Sequence, residues 1–324
     1  LFRSQRNAEN KSFLPNYNPD GSLIDTDWFK EVYRTAFSQN HNMTINGGTD
    51  KTNYYFSAGY SDQDGFLQNN SFQRRSGRFN MDHQATKWLK LTANFNYSNT
   101  FNKAPMSGSN AGGAFNTSGL GRIAMAQVPN LPAYLPDGSY NLENNTVGRL
   151  NNLLPAQFPN PVVVRDLDKI TSENTRLIAN IGAEFRLAEG LTAKTSYSWD
   201  RRNTENIRFF NPYNGDGWSA GGDAYNNTAR SDNWNWINTL QYNLTLADKH
   251  NFSLVAGSDV QKTRVLNWGA QRQTLADFFF TDFQGNFGTN LAAGNGIFQV
   301  AYEAYLASFS YNYAGKYFFS ANYR

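Results

Sequence analysis

Trp88-Leu89-Lys90-Leu91-Thr92-Ala93-Asn94-Phe95-Asn96-Tyr97-Ser98 keeps a strict two-residue alternation. Leu89, Leu91, Ala93, Phe95 and Tyr97 share one face, and Lys90, Thr92, Asn94, Asn96 and Ser98 the other. That period belongs to a strand, because a helix brings together residues three and four apart. Alternation leaves open which face meets water. A soluble sandwich turns its apolar face inward, whereas a membrane barrel turns it outward to lipid.

The same period recurs on both sides. Before it, 37–47, 52–64 and 72–83 read as strands. After it come 176–187, 191–200, 234–246, 252–260, 301–313 and an interrupted final segment, about ten strands in all. Residues 1–24 read as polar loop with an Asn18-Pro19-Asp20-Gly21 turn, and Asp25–Tyr33 as one short helix capped by Asp or Thr. The connections sort by length. Those at 47–51, 84–87, 188–190, 247–250 and 314–316 are short, and long loops are expected at about 101–172, 201–230 and 265–298. Short turns at one end and long loops at the other characterise an outer-membrane barrel; a soluble sandwich has no reason to sort them so.

Composition agrees. The chain has 324 residues, 15% aromatic, no cysteine and a net charge of +3. Absent cysteine removes disulfide scaffolds and thiolate chemistry, and so small a charge gives no argument for nucleic acid. No run of eighteen apolar residues marks a membrane helix. The mean hydropathy of -0.63 still permits barrel strands, which offer only every second residue to lipid. Ten residues rising about 3.3 Å each and tilted near 45° span roughly 23 Å, close to the apolar height of such barrels. Tyr97, Tyr197, Trp199, Trp234 and Trp236 fall near the long-loop ends of their strands and Trp88 and Phe252 near the short turns, as two interfacial girdles would. With the apolar face outward, Lys90, Asn94, Arg176, Glu184, Arg186 and Lys194 are lumen-lining candidates. In the long loops, Tyr134, Tyr140, Tyr213, Trp218 and Tyr225 stand among prolines, amides and carboxylates. Aromatic faces beside such groups suit sugar rings; equally, they pack loops together or against a partner.

Several stretches resemble the SusC/RagA family of TonB-dependent outer-membrane transporters: Thr26-Asp27-Trp28 through Asn42, Gly47–Tyr55, Gly59–Gly65, Arg75–His83, the Pro129–Tyr140 segment, Asn160–Arg176, and Tyr311–Tyr317. The resemblance covers nearly everything from Asp25 onward. It implies an all-β fold, an antiparallel segment of a transmembrane β-barrel of about twenty-two strands with long extracellular loops, in the bacterial outer membrane. It also implies active import of oligosaccharides, or peptides, with a SusD-like surface lipoprotein and energy from TonB-ExbB-ExbD. On this reading, 1–36 leads into a partial barrel at 37–324, while the plug domain and closing strands are absent from this stretch.

Other chemistry finds little support. His41, His83 and His250 lie far apart with no partner at ligand spacing, so no metal, cofactor or catalytic residue is expected. Asp62-Gln63-Asp64-Gly65 resembles the opening of a calcium loop but lacks the distal bidentate Glu. The rival readings are a siderophore or cobalamin receptor of the same architecture, a passive porin, and a soluble glycan-binding β-protein.

Overall fold

The structure, a computed structural model, describes residues 14–104, 119–150, 153–154, 158–279 and 281–324. The chain enters through helix α1 (Trp28–Val32), then runs through strands β1 (Ser38–Gly48), β2 (Thr52–Asp64), β3 (Ser71–Thr86) and β4 (Leu89–Lys103). A long connection carries α2 (Leu120–Ala126), the short pair β5 (Leu142–Glu143) and β6 (Thr146–Val147), and α3 (Pro161–Leu167). Six strands follow: β7 (Lys169–Ala188), β8 (Leu191–Phe210), β9 (Asp223–Leu246), β10 (His250–Leu275), β11 (Phe287–Tyr313) and β12 (Tyr317–Tyr323). All but β5 and β6 form one antiparallel sheet of ten strands in chain order. The polar leader at 1–13 and the Gly/Ser/Asn-rich start of the long connection, 105–118, lie outside the described residues.

The short turns fall at 49–51, 87–88, 189–190, 247–249 and 314–316, all at one end. At Gly190 the backbone takes φ +72°, and a Cβ would run into the Asn243 carbonyl oxygen, so this turn requires glycine. At the other end the connections are 65–70, 104–168, 211–222 and 276–286. The loops expected at 201–230 and 265–298 are therefore much shorter, and 101–172 slightly so. The reason is that β8 to β11 run for 20, 24, 26 and 27 residues. Past Trp199, β8 reads Asp200-Arg201-Arg202-Asn203-Thr204-Glu205, polar on both faces, so the hydropathy alternation stops. Backbone pairing continues regardless, as in Asn203↔Arg230 and Glu205↔Thr228. For the same reason Trp199 and Trp234 sit in mid-strand at the edge of an apolar belt, not at strand ends.

Register fixes the two faces. Leu91, Ala93, Phe95 and Tyr97 align with Ala183, Ile181, Ala179 and Leu177, and Ile181 continues to Tyr197, Trp236 and Val260. This face is bare: Ile181 is 56% exposed and Leu254 49%. The buried apolar core lies instead in the loop-end cap and at the tops of β8 to β11. A soluble sheet would cover such a face with a second layer; a barrel wall offers it to lipid.

The belt also crosses the sheet obliquely. Toward the loop end, the first polar residue on the outward face is His41 on β1 and Glu303 on β11. The register from Glu303 leads back through Val260, Trp236, Tyr197, Ile181, Ala93, Met81 and Tyr54 to Gly47, about six residues from His41. At the turn end the drift is about ten. Across eight strand spacings of about 4.8 Å, with about 3.3 Å per residue, this is a tilt of roughly 30–40°. Membrane barrels tilt their strands by about 35–45°. A horizontal lipid layer meeting tilted strands produces this drift.

Ile181→Arg, in the middle of the belt, is expected to destabilise the full-length protein by about 2–4 kcal/mol in denaturant unfolding from lipid vesicles. Asn94→Arg on the opposite face is expected to cost less than about 1 kcal/mol. Equal costs would contradict the assignment of faces.

Candidate functional site

The loop end is organised by a cap in which three helices meet. Asp27 caps α1 by accepting from the Phe29 and Lys30 amides, which orients Trp28 and Val32 inward. Trp28 then donates from Nε1 to the Val128 carbonyl at 2.9 Å. Asn160 caps α3, accepting from the Val162 amide at 3.1 Å, with Pro161 preset for the first turn. Trp28, Val32, Leu120, Ile123, Leu131, Val147 and Val162–Val164 form the shared core.

Asparagines join this core to the 211–222 connection. Asn160, Asn211 and Asn214 are fully buried. Asn160 Nδ2 donates to the Ala133 and Asn141 carbonyls at 2.8 and 3.1 Å, and its own carbonyl accepts from Asn214 Nδ2 at 3.1 Å. Asp168 Oδ1 accepts from the Asn211 amide at 2.9 Å and from Asn211 Nδ2 at 2.6 Å. Enclosure pushes the Asp168 carboxyl up to about 7, against the pull of both Asn211 donors and with added repulsion from Asp216.

Two clefts open on the cap. One, of about 560 Å³, is lined by Tyr17, Asn18, Tyr134, Pro136 and Arg149. The other, of about 350 Å³, is lined by Ser139, Tyr140, Arg149, Tyr213, Phe278 and Thr281. Tyr134 and Tyr140 stack at 5.7 Å and bridge as a two-strand pair. Both hydroxyls reach Asp166 Oδ2, at 3.5 and 3.3 Å, and Arg165 Nη2 donates to the Tyr134 hydroxyl at 2.8 Å. Burial and the adjacent carboxylate push the Tyr140 hydroxyl up to about 12, which keeps it a neutral donor. Tyr213 meets Phe278 edge to face at 5.3 Å.

Of the five loop aromatics, Tyr140 and Tyr213 thus share a cleft, and Tyr134 lines its neighbour. Trp218 stands apart on the 3-10 turn Gly215–Ala220. Tyr225 is a correction: it belongs to β9, where the Arg208 guanidinium lies 5.2 Å from its ring centre. Long strands carried it out of the expected loop. Sequence reasoning missed Tyr17, Arg149 and Phe278; only folding brings these three separate loops together.

Lys90, Asn94, Arg176, Glu184, Arg186 and Lys194 share the face opposite the apolar belt. Glu184 is in register with Lys90 and Lys194 and pairs with Lys194 at 3.1 Å. Lys90 approaches Asp82 at 3.7 Å. Arg176 grips Asp200 with two bonds of 2.9 and 2.6 Å. Asn94 lies in register between Asn80 and Asn180. That row runs Asn46, Tyr55, Asn80, Asn94, Asn180, Ser198, Asn235 and Gln261, a band of neutral donors and acceptors.

Two outcomes test the cap. Asn160→Ala leaves buried carbonyls without donors, at about 1–3 kcal/mol each, and is expected to expose the 104–168 connection to limited proteolysis while the sheet stays folded. Asp168 has a folded-state value raised above the ordinary carboxylate range of about 4. Its ionisation therefore costs stability as pH climbs from about 4 to 7, and the full cost applies above 7. Hydrogen-exchange protection of Asn211 and Asn214, corrected for intrinsic rates, is expected to be higher at pH 5.5 than at pH 8. Asp168→Asn is expected to abolish the difference.

No family model matches the chain. It is 26% identical over 305 residues to TonB-dependent receptor P3 of Formosa agariphila, covering 91% of this chain and 29% of that protein. It is 25% identical over 185 residues to TonB-dependent receptor SusC of Bacteroides thetaiotaomicron, covering 52% of this chain and 17% of that protein. The RagAB peptide importer in its open-open state superimposes with a TM-score of 0.67 at 21% identity, over 93% of this chain and 32% of that one. The chain spans less than a third of the length of the curated relatives it matches. The ordered strands and the outward apolar belt give the chain the fold of a TonB-dependent barrel wall, and in sequence it is similar to SusC-type TonB-dependent receptors.

Proposed function

We propose that this segment forms part of an outer-membrane importer, powered through TonB and working with a SusD-like lipoprotein, whose cargo is a neutral oligosaccharide or, as second choice, a peptide. The carrying observation is the Tyr140–Tyr213 cleft above a wall whose central row is amide and hydroxyl. Tyrosine faces stack on the C–H faces of sugar rings, and neutral donors and acceptors match hydroxyls or peptide groups without asking for ligand charge. Three cations of the inner face, Lys90, Lys194 and Arg176, already face carboxylates, which lowers their attraction for an anionic ferric chelate. The peptide alternative rests on the likeness to the RagAB importer. In this reading Lys90, Asn94, Arg176, Glu184, Arg186 and Lys194 line the lumen, and the step is binding and gated translocation without covalent chemistry.

The test is calorimetry on the full-length protein with panels of neutral oligosaccharides, peptides and ferric chelates, beside uptake in cells with and without TonB. Binding of one neutral class is expected, weakened about three- to tenfold by Tyr213→Ala, the scale of one aromatic contact. Uptake is expected to stop without TonB. Undiminished uptake without TonB would identify a passive pore, and binding of the chelates alone would identify an iron importer.

A further inference from the structure

The outward wall of β8 to β10 carries two features that import does not use. One is a group of cations at the loop-side edge of the apolar belt. Arg201, Asp232 and Arg264 are in register across the three strands. Lys262 lies beside Trp234 one step lower, and Arg230 beside Asn203 one step higher. Arg201 and Arg230 both reach Asp232 through Nε, at 3.5 and 3.0 Å. Lys262 and Arg264 form no ion pair among the described residues. Two further carboxylates lie one diagonal step away on the same face, Glu303 from Lys262 and Glu205 from Arg230; Glu303 accepts from the Tyr305 hydroxyl at 2.7 Å and Glu205 from Asn226 Nδ2 at 3.1 Å. Of these four cations, Arg201 and Arg230 are paired with Asp232, and Lys262 and Arg264 are the two left without an ion pair at the lipid boundary.

The other feature is a trough of about 540 Å³ in the middle of the belt. Ala193, Thr195, Ala256 and Ser258 form its floor, with Leu240 and Tyr305 at the sides. Its polar atoms are tied to one another: Thr195 Oγ1 donates to Asn238 Oδ1 at 2.7 Å and accepts from Trp236 Nε1 at 3.0 Å. The trough therefore presents a hydrogen-bonded, largely methyl and methylene surface to lipid. Thr195 and Arg201 are six residues apart on one strand, about 20 Å. Between them stands an aromatic shelf, Tyr197 stacked on Trp234 at 6.0 Å and Trp199 with the Arg201 guanidinium 5.9 Å from its ring centre.

We propose that this wall binds a phosphorylated glycolipid of the loop-side leaflet. A phosphate monoester sits on Lys262, Arg264 and Arg201, the sugar on the aromatic shelf, and one acyl chain in the trough. The charge selects the headgroup. A monoester phosphate carries about −1.5 to −2 near neutral pH, matching the two unpaired cations Lys262 and Arg264, whereas the diester of an ordinary phospholipid carries one negative charge. The vertical order, acyl trough below aromatic shelf below cations, is that of such a lipid standing in a leaflet. Lys262 and Arg264 are the residues free to engage it, since Asp232 occupies Arg201 and Arg230 in part. The inference rests on the membrane reading above.

Full-length protein in neutral detergent, titrated with diphosphorylated lipid A or with the same lipid dephosphorylated and read by native mass spectrometry, tests it. The wild type is expected to prefer the phosphorylated form by about tenfold, the scale of one or two charge-assisted bonds. Lys262→Gln with Arg264→Gln is expected to lose that preference while keeping wild-type heat-modifiable gel mobility. Lys87→Gln, Lys249→Gln and Lys316→Gln, which remove charge from the opposite end, are expected to retain it. Ala256→Phe is expected to weaken retention of both lipids and leave the preference intact. Equal retention of the two lipids by the wild type, or equal loss from the turn variants, overturns the phosphate site. Unchanged retention in Ala256→Phe overturns the trough. A wild-type protein that stays folded in water and takes up neither lipid overturns the membrane reading itself, a result distinct from the others.

Discussion

The backbone hydrogen bond, under the rule that no polar group is left unpaired inside lipid, is the constraint from which this structure follows. A strand satisfies its amides and carbonyls only through its neighbours, so the ten strands pair in chain order, and among the described residues no apolar layer covers them. Once pairing is fixed, side chains alternate between two solvents. The outward face becomes a belt of Leu, Ile, Phe and Tyr, and the inward face a mixture of Asn, Ser, Thr and matched charges. The oblique course of the belt is the trace of strand tilt left in the side chains.

Where the strands rise beyond lipid, the constraint relaxes and a second kind of organisation takes over. Both faces of β8 and β9 become polar there, yet pairing persists. The cap closes the loop end with a modest apolar core and a set of fully buried asparagines. The Asn160 and Asn211 amides each serve three groups at once, which holds the irregular backbone around them in a fixed shape. That rigidity positions the Tyr140 and Tyr213 rings at a common cleft. Asp168, held between Asn211 and the end of α3, adds a pH-sensitive tie to the same framework.

Charge is sorted by face as well. On the inward side, Lys90, Arg176 and Lys194 are balanced by Asp82, Asp200 and Glu184 within the wall, so their fields are short-ranged. On the outward side above the belt, cations gather without full balance at β8 to β10.

Much of this was legible in the residues. The alternation of Trp88 to Ser98 determined strand, period and which residues share a face, because the pleat repeats every two residues whatever surrounds it. Asp27 and the Asn18-Pro19-Asp20-Gly21 turn announced local structure through local chemistry. The strand count and the sorting of short turns from long connections were also readable from residue order alone. Strand ends were not: hydropathy alternation stops at Arg201 and Asp232, whereas pairing, a property of two chains meeting in space, continues to Phe210 and Asp223. That difference moved Tyr225 from loop to strand. The meeting of Tyr140, Arg149, Tyr213 and Phe278, the balancing of inner charges and the stacking of trough, shelf and cations on the outer wall were likewise decided only in three dimensions. Each depends on register and loop packing between segments tens of residues apart, and no local spacing in the sequence encodes those distances.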